Sequence, residues 1–320
     1  MTVRNTMLAL YLAKLEAVSG TDAAPVAAED AIALAANVDP AYDYAFRHAR
    51  DVLIRGGDIN AFPPLTPKGK MYSWTKSAWW RGTTGAVTAL TPIELDAWLQ
   101  SAGYAAAYSG AAGEEQVMYT LISTLVKTMT EYFYHDGVVR KGVGALSEIG
   151  LSFDVGGPVI IECASQGIFE GVADAALPAG AVIQTTEPPT ATDMTTFSVG
   201  GYAAGVIRSF KLQTGNSIQR HDGVLAPDGI AGYRLHTRKP TWTVVLEEPT
   251  RATKNFNALV DSQADVPISW LLGGTQYNTL GFDAASAKLD KVTPSNDNGL
   301  PLLTLTGGLY GDTPLSLTVK

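Results

Sequence analysis

The sequence predicts a mainly β protein with two tandem β-sandwich or barrel domains, each carrying one helix, behind an N-terminal arm. The chain of 320 residues has 32 glycines, 46% hydrophobic residues and only 17% charged residues, which is typical of a globular β protein with many turns. Tight-turn pairs separate apolar runs, and the order of the elements occurs twice. We place the arm at 1–30, the domains at 31–171 and 194–320, and a linker at 172–193.

The elements of the first domain become clear after residue 90. Residues 91–104 predict a helix, with Thr91 as the N-cap, Pro92 at the first helical position and Gly103 as the terminator. The pair Asp136-Gly137 predicts a hairpin, because a type I′ turn needs positive φ at both central residues. Strands are predicted at about 117–134, 138–154 and 157–169.

The second domain follows the proline-containing linker. Its first predicted element is a hairpin centred on Gly200-Gly201, and a long excursion follows it. The alternation in residues 239–248 predicts a strand. A second helix is predicted at 250–261 with Thr250 as its candidate N-cap, and a hairpin at 267–285 precedes the terminal strands.

Landmarks occur in the same order in both domains. They are Trp74 and Trp242, the helices 91–101 and 250–260, the turns Asp136-Gly137 and Gly273-Gly274, and Pro158 and Pro301. One landmark is easily matched by chance, but four in the same order are not. We interpret them as an internal duplication of one domain.

Charge and cysteine content exclude several classes of protein. The net charge is −8, and residues 1–160 carry 12 Lys/Arg and 16 Asp/Glu, so each half contributes −4. A protein that grips nucleic-acid phosphates normally shows a basic stripe, which is missing here. The single cysteine, Cys163, excludes an intrachain disulfide and favours a reducing compartment. The first 16 residues predict neither a signal peptide nor a membrane span, so we expect synthesis in the cytoplasm.

Catalytic motifs are missing from the sequence. The four histidines lack metal-ligand spacing, and there is neither a nucleophile elbow nor a phosphate-binding loop. We therefore expect no enzyme activity, metal or cofactor. Two other classes stay open at this point: a carbohydrate-binding β-sandwich using Trp79-Trp80, and a hydrolase whose residues come together only in the fold.

Six stretches then carry a family resemblance. They are the apolar start that ends in Lys14-x-Glu16, GTDAAP (20–25), EYFYHDGVVRK (131–141), TTFSVGGY (195–202), TRKPTWTVVLE (237–247) and ATKNF (252–256). In this order the chain resembles, almost end to end, the tail tube (major tail) proteins of bacteriophages with long, flexible, non-contractile tails.

The resemblance implies a structural virion protein. Rings of such proteins stack into the tail tube, through which duplex DNA passes during ejection without specific binding. Six copies of the fold usually form one ring, so a duplicated chain favours a trimer over a hexamer. The implied partners are other copies of the chain and the tape measure and tail terminator proteins, and no membrane. A tail-completion or tail-tip protein of the same fold is the alternative.

Candidate contacts between subunits or rings lie in the arm and in two long excursions, at about 46–70 and 214–236. Oppositely charged side chains are dense there, as in inter-ring ion pairs, although a solvated loop has the same composition. The candidates are Lys14, Glu16, Arg47, Arg50, Asp51, Arg55, Asp58, Arg220, Asp222, Asp228 and Arg234.

Overall fold

The fold is mainly β, as predicted. The computed structural model describes residues 9–35, 41–48, 65–83, 85–89, 91–111, 113–124, 126–135, 137–203, 206–226 and 229–320. The strands of the first half are β1 (Ala9–Leu15), β2 (Ala31–Ile32), β3 (Ala41–His48), β4 (Leu65–Trp79), β5 (Tyr104–Ser109), β6 (Gln116–Leu121), β7 (Met129–His135), β8 (Val138–Asp154) and β9 (Ile160–Asp174).

The second half adds ten strands. They are β10 (Met194–Val199), β11 (Ile207–Gln213), β12 (Asn216–Asp222), β13 (Ile230–Arg238), β14 (Thr241–Glu247), β15 (Ile268–Leu272), β16 (Leu280–Ala284), β17 (Ala287–Asp297), β18 (Leu300–Leu309) and β19 (Ser316–Val319). The α-helices among the described residues are α1 (Asp96–Ser101) and α2 (Phe256–Ser262), and a 3-10 turn spans Ala191–Asp193.

The larger sheet contains a continuous antiparallel path of eight strands. Their order is β3-β4-β9-β8-β11-β14-β18-β17. The long strand β8 pairs along one edge with β9, while its other edge pairs first with β7 and then with β11. Strands β7, β1 and β2 therefore branch from the path beside the first half of β8.

The eight strands consist of two units with the same strand order. The first unit is β3-β4-β9-β8, and the second unit is β11-β14-β18-β17. In each unit the chain runs along the first two strands, enters a helix, and returns through the last two strands as a hairpin. Trp74 lies opposite Ser165 in the first unit, and Trp242 lies opposite Gly307 in the second. The two tryptophans thus occupy equivalent positions, while the domain boundaries themselves stay a prediction.

A second sheet covers one face of this path. Its order is β10-β15-β16-β19-β6-β5, so it also combines strands from both halves of the chain. The main hydrophobic core joins the two sheets and includes Trp74, Trp98, Trp242 and Trp270, each almost completely buried. In the strands, the alternation of apolar and polar residues places Trp74, Trp242 and Trp270 inside, whereas Trp98 reaches the core from α1.

Both helices begin later than the sequence predicts. Helix α1 begins after Leu95, and the hydroxyl of Thr91 donates instead to the carbonyl oxygen of Ala86 at 2.9 Å. Helix α2 begins after Asn255, whose side chain accepts a hydrogen bond from the Ala258 amide at 3.2 Å. The N-caps predicted at Thr91 and Thr250 are therefore wrong. Before α1, the buried side chain of Ile93 holds residues 91–95 in a turn that precedes the helix.

The sequence predicts the positions of turns better than it predicts which strands pair with each other. Gly200 and Gly201 both have positive φ, as a tight turn requires, but β10 and β11 on either side of them belong to different sheets. The predicted strand 117–134 is likewise two strands, β6 and β7, in different sheets. The β7–β8 hairpin and the β15–β16 hairpin are confirmed. Gly137 has φ +81°, while Asp136 lies outside the described residues.

Candidate assembly surfaces

The face of the eight-stranded path away from the second sheet is polar and rich in Ser and Thr. One row across seven strands consists of Trp79, Ile160, Ser152, Lys211, Thr243, Thr306 and Lys291. None of these side chains is buried. The row crosses from the first unit into the second without interruption, so the two units present one continuous surface.

The joint between the two units is an ordinary antiparallel strand pair. The last five residues of β8 pair with β11, and Asp154 lies opposite Ser209. The corresponding last strand of the second unit is β17, which ends at Asp297. Among the described strands β17 pairs with β18 alone, so one edge of its second half offers free hydrogen-bonding groups.

The first half of β17 is shielded as the first half of β8 is. Chain segments after α2 contact it, since the Val266 amide donates to the Ala287 carbonyl at 2.8 Å and Lys288 pairs with Asp265 at 2.9 Å. In β8 the equivalent stretch is covered by β7. The second half of β17, which is unpaired on one edge, is therefore the counterpart of the last five residues of β8, which pair with β11 and join the two units.

The opposite end of the path is also an edge. Strand β3 pairs with β4, and Ala35 continues the same line because its amide donates to the Ser77 carbonyl at 2.7 Å. In the second unit, Ser209 lies opposite Val245, the counterpart of Ser77 when Trp74 is matched to Trp242. Ala35 is therefore the counterpart of Ser209. One end of the path has the edge that corresponds to the end of β8, and the other end has the edge that corresponds to the start of β11, which are the two edges that pair between the units.

The second long excursion is a two-stranded ribbon formed by β12 and β13. It extends directly from β11 and β14, and its base is fixed to the first half. Arg238 donates to the carbonyl oxygens of Ile122 and Ala102 at 2.7 and 2.9 Å, and Asn216 donates to Ala102 and Ser147. These contacts fix the base, and beyond it the ribbon touches the larger sheet again, since Arg220 contacts the sulfur of Met71 in β4 at 3.2 Å.

The candidate contact residues of the ribbon lie on its surface. Arg220 and Asp222 form an ion pair at 2.7 Å, and Arg234 is exposed on the neighbouring strand. Arg47 lies in β3, and its side chain is outside the description. Arg50, Asp51, Arg55, Asp58 and Asp228 lie outside the described residues.

The two candidates of the predicted arm are engaged within the chain. Residues 9–15 form β1, which pairs along its whole length with β7. Lys14 forms an ion pair with Asp30 at 3.3 Å. The carboxylate of Glu16 is buried and accepts hydrogen bonds from the amides of Gly20 and Gly144, both at 2.7 Å, and from two threonine hydroxyls. A role of any of these residues between subunits stays a prediction.

A buried ionic cluster lies at the centre of the first half, which the sequence analysis missed. The ammonium group of Lys76 pairs with the carboxylate of Glu131, and both side chains are fully buried. Tyr72 and Ser165 donate to the same carboxylate at 2.7 Å, and Tyr11 donates to it as well. Burial first, and the nearby Glu131 charge second, raise the pKa of both tyrosines well above the usual value, which keeps them protonated as donors.

Period-two alternation was the available signal for this cluster. Lys76 stands between Trp74 and Ala78 on the inward face of β4, where a charged residue requires a partner. The identity of that partner could not be read from the sequence, since Glu131 is 55 residues away in the chain.

Chemical sites of other kinds are sparse in the described part of the chain. Burial raises the pKa of the Cys163 thiol to about 11, so it stays protonated and unreactive. No group of three His, Cys, Asp or Glu side chains among the described residues could hold a metal ion. None of the helices described has the length and hydrophobicity needed to span a membrane. Trp80 is buried while its neighbour Trp79 is partly exposed, so the two indoles do not form a joint sugar platform.

The sequence was compared with known families and proteins. A family model described as phage tail tube protein matches residues 82–308, which is more than two thirds of the chain. None of the curated proteins matches the chain. The matched range includes β8 and β9 of the first unit, the joint between the units, the ribbon and almost all of the second unit, whereas β3 and β4 of the first unit precede it.

Proposed function

The chain belongs to the phage tail tube protein family, and on that premise we propose that three copies close into a ring and that the rings stack into the tail tube. The protein is then a structural component of the virion tail. In this proposal it delivers the phage genome by enclosing the duplex DNA as it passes.

The observation that carries the proposal is the joint between the two units. The pairing of β8 with β11 shows how the last strand of one unit accepts the first strand of the next. Repeating that pairing between chains joins β17 of one subunit to the β3 edge of its neighbour. A head-to-tail contact of this kind generates a ring when its rotation closes. Ring closure also removes the free strand edges that an isolated subunit exposes.

Three chains supply a ring of suitable size. Each chain contributes eight strands, so three contribute 24. With a spacing of about 4.8 Å and a tilt near 45°, the circumference is roughly 160 Å and the backbone diameter roughly 50 Å. A lumen of that width accommodates duplex DNA after side chains occupy their share. The internal duplication thus makes a trimer equivalent to six single units.

The uncovered face of the path suits the lumen. Its side chains include many Ser and Thr, and its charges have mixed sign, for example Lys211 and Glu162. Dense positive charge would hold DNA phosphates, since each contact releases counterions and adds affinity. A hydroxyl-rich face with little net charge lets the duplex move along the axis.

The partners and location follow from this role. Other copies of the chain are the principal partners. The tape measure protein lies inside the tube, and the tail terminator protein binds at its end. The chain is made in the host cytoplasm and resides in the virion. In this role it performs no catalysis.

The test uses the full-length protein with one cysteine at each end of the path. Ala35→Cys and Asp297→Cys are expected to lie opposite each other across the subunit boundary, as Ser209 and Asp154 do within the chain. A short bis-maleimide should link three chains into a closed ring on a denaturing gel, while buried Cys163 does not react. The control pairs Ala35→Cys with Val182→Cys, an exposed position outside the strands.

Light scattering and negative-stain imaging complete the test. Rings or tubes with three chains per ring, linked by the first cysteine pair and not by the control, support the proposal. Rings of six chains keep the tube but overturn the trimer. A monomer at every concentration, with no tubes when other tail components are added, overturns the proposal and favours a tail-tip or tail-completion role.

A further inference from the structure

A pocket and an exposed aliphatic tip lie at opposite ends of the stretch of chain formed by β11 and β12. We propose that the tip of the β12–β13 ribbon, formed by Val224 and Leu225, inserts into a pocket at the start of β11 of a second copy in the next ring. The inference rests on the proposed tube and names the contact that stacks its rings.

The tip presents two consecutive aliphatic side chains to solvent. The exposed fractions of Val224 and Leu225 are 101% and 99%. The turn that carries them is ordered by backbone hydrogen bonds, since Gly223 donates to Gly229 at 3.1 Å and Ala226 donates to Gly223 at 3.2 Å. Single exposed aliphatic residues are common, but an adjacent pair at the end of a rigid ribbon is a surface poised for burial in a partner.

The pocket lies where β8 ends and β11 begins. Its volume is about 310 Å³. Aromatic and aliphatic side chains form much of its lining, and the pocket is open to solvent. These lining residues include Phe153, Ala191, Met194, Phe197 and Ile207. Thr192, Thr195, Thr196 and Arg208 also line the pocket, so it offers hydrogen-bonding groups beside apolar side chains that can contact an aliphatic tip.

One charged side chain completes the pocket. Arg208 lines it, and the Nε of this residue is buried without a hydrogen-bond partner among the described residues. The ribbon tip is flanked in sequence by two acidic residues, Asp222 and Asp228. Because Asp222 is already paired with Arg220, Asp228 is the acidic residue beside the tip whose charge is opposite to that of Arg208, as expected for complementary surfaces.

Strand direction places the two features at opposite ends of the subunit. β11 starts at the pocket with Ile207 and ends at Gln213, and β12 continues from Asn216 toward the tip. At about 3.3 Å per residue the tip is roughly 50 Å from the pocket of its own chain. The tip therefore cannot fill its own pocket, whereas a copy stacked in the same orientation brings its pocket to the tip. Such a contact does not close on itself and generates a filament.

The first experiment removes the apolar tip. Val224→Ser with Leu225→Ser should raise the protein concentration needed for tube growth by roughly tenfold or more, because two aliphatic side chains no longer become buried. The matched control is Val182→Ser with Ile183→Ser, another adjacent exposed pair, and it should leave tube growth unchanged. Ring formation, measured by the Ala35–Asp297 crosslink, should be the same in all variants.

The second experiment joins tip and pocket directly. Leu225→Cys protein is mixed with Thr195→Cys protein, whose new thiol lines the pocket. Under mild oxidation we expect a disulfide-linked dimer in tubes, and none when Val182→Cys replaces Leu225→Cys. Tubes that form without this disulfide, and grow normally with the serine tip, overturn the docking but leave the proposed function intact. Wild-type protein that forms neither rings nor tubes overturns both.

Discussion

The two units share a strand order but stabilise their centres in different ways. In the first half, Lys76 and Glu131 form a fully buried ion pair, and tyrosine and serine hydroxyls complete its hydrogen bonds. In the second half the equivalent centre is aromatic: Phe210 and Phe282 pack edge-to-face at 5.2 Å, and Trp270 stacks on Phe282 at 5.4 Å.

Matched positions show how the difference is accommodated. Lys76 corresponds to Val244 when Trp74 is matched to Trp242, and both side chains are buried. Ser165 lies opposite Trp74 and accepts a hydrogen bond from Lys76 at 2.7 Å, whereas Gly307 lies opposite Trp242. A Cβ atom at Gly307 would lie 2.9 Å from the Trp242 ring, so the second unit has no room for a serine.

The comparison teaches that strand order depends on the pattern of inward and outward side chains, and tolerates different chemistry inside. Buried ions lose hydration, and their attraction offsets that loss only when every donor and acceptor is satisfied. The ionic centre therefore depends on all of its members together. The aromatic centre depends on the volume and shape of its side chains, so each side chain contributes separately to the free energy of unfolding.

The largest effect is expected from breaking the ion pair. Glu131→Leu leaves the Lys76 ammonium buried without a counter-charge, which should lower the free energy of unfolding by about 3–5 kcal/mol. Adding Lys76→Met should recover most of the loss, because both charges are then gone. Urea unfolding of the single and double variants measures this coupling.

The control for that cycle is the partly exposed pair Lys14–Asp30. Lys14→Met should cost about 0–1 kcal/mol, since exposed ion pairs contribute little. Additive losses in the Glu131–Lys76 double variant would show that the pair does not act as a unit.

A smaller effect is expected from giving the second unit the serine of the first. Gly307→Ser should lower the free energy of unfolding by about 2–3 kcal/mol, because the new Cβ meets the Lys288 carbonyl oxygen and the Trp242 ring. Thermal unfolding measures the loss. Gly274→Ala is the control for effects of backbone freedom, because no atom lies within 4 Å of its Cβ position and its φ, like that of Gly307, is not positive. Unchanged stability in Gly307→Ser would mean that the two centres are interchangeable at this position.

The smallest effect distinguishes the helix entries of the two units. Burial raises the pKa of Glu94, just before α1, from 4.5 to about 7, whereas the entry of α2 carries the neutral Asn255. The fold therefore favours protonated Glu94, and this stabilisation is fully present below pH 4.5 and is lost as the pH rises through 7. Relative to Glu94→Gln, wild-type protein should lose about 1–2 kcal/mol between pH 5 and 8, less than the full shift implies because the side chain stays partly exposed.

Urea unfolding of both proteins across this pH range checks the difference. Equal pH dependence in wild type and Glu94→Gln would contradict it. Asn255→Asp offers a comparison in the second unit, where a more exposed carboxylate at the N-cap should produce a shift in the opposite direction, because the helix N-terminus stabilises its charged form.

The sequence alone predicted the mainly β class, the repeated order of elements and most turns. These depend on local chemistry: alternating side chains define a strand, and glycines such as Gly137 and Gly200 permit positive φ whatever surrounds them. The match of Trp74 with Trp242 could also be found from the sequence, because each tryptophan is an inward residue of a strand in which apolar and polar side chains alternate. The charged candidates in the excursions stay predictions, since surface charge alone does not identify a contact.

Tertiary structure decided which strands pair and which residues meet. Strand edges offer the same backbone groups to any partner, so nothing local shows that β10 and β11 part into different sheets or that β8 passes from β7 to β11. The partner of Lys76, the pocket beside Arg208 and the open end of β17 arise from segments far apart in the chain. Local sequence determined the elements, while the competition among distant edges and apolar faces for burial determined their arrangement.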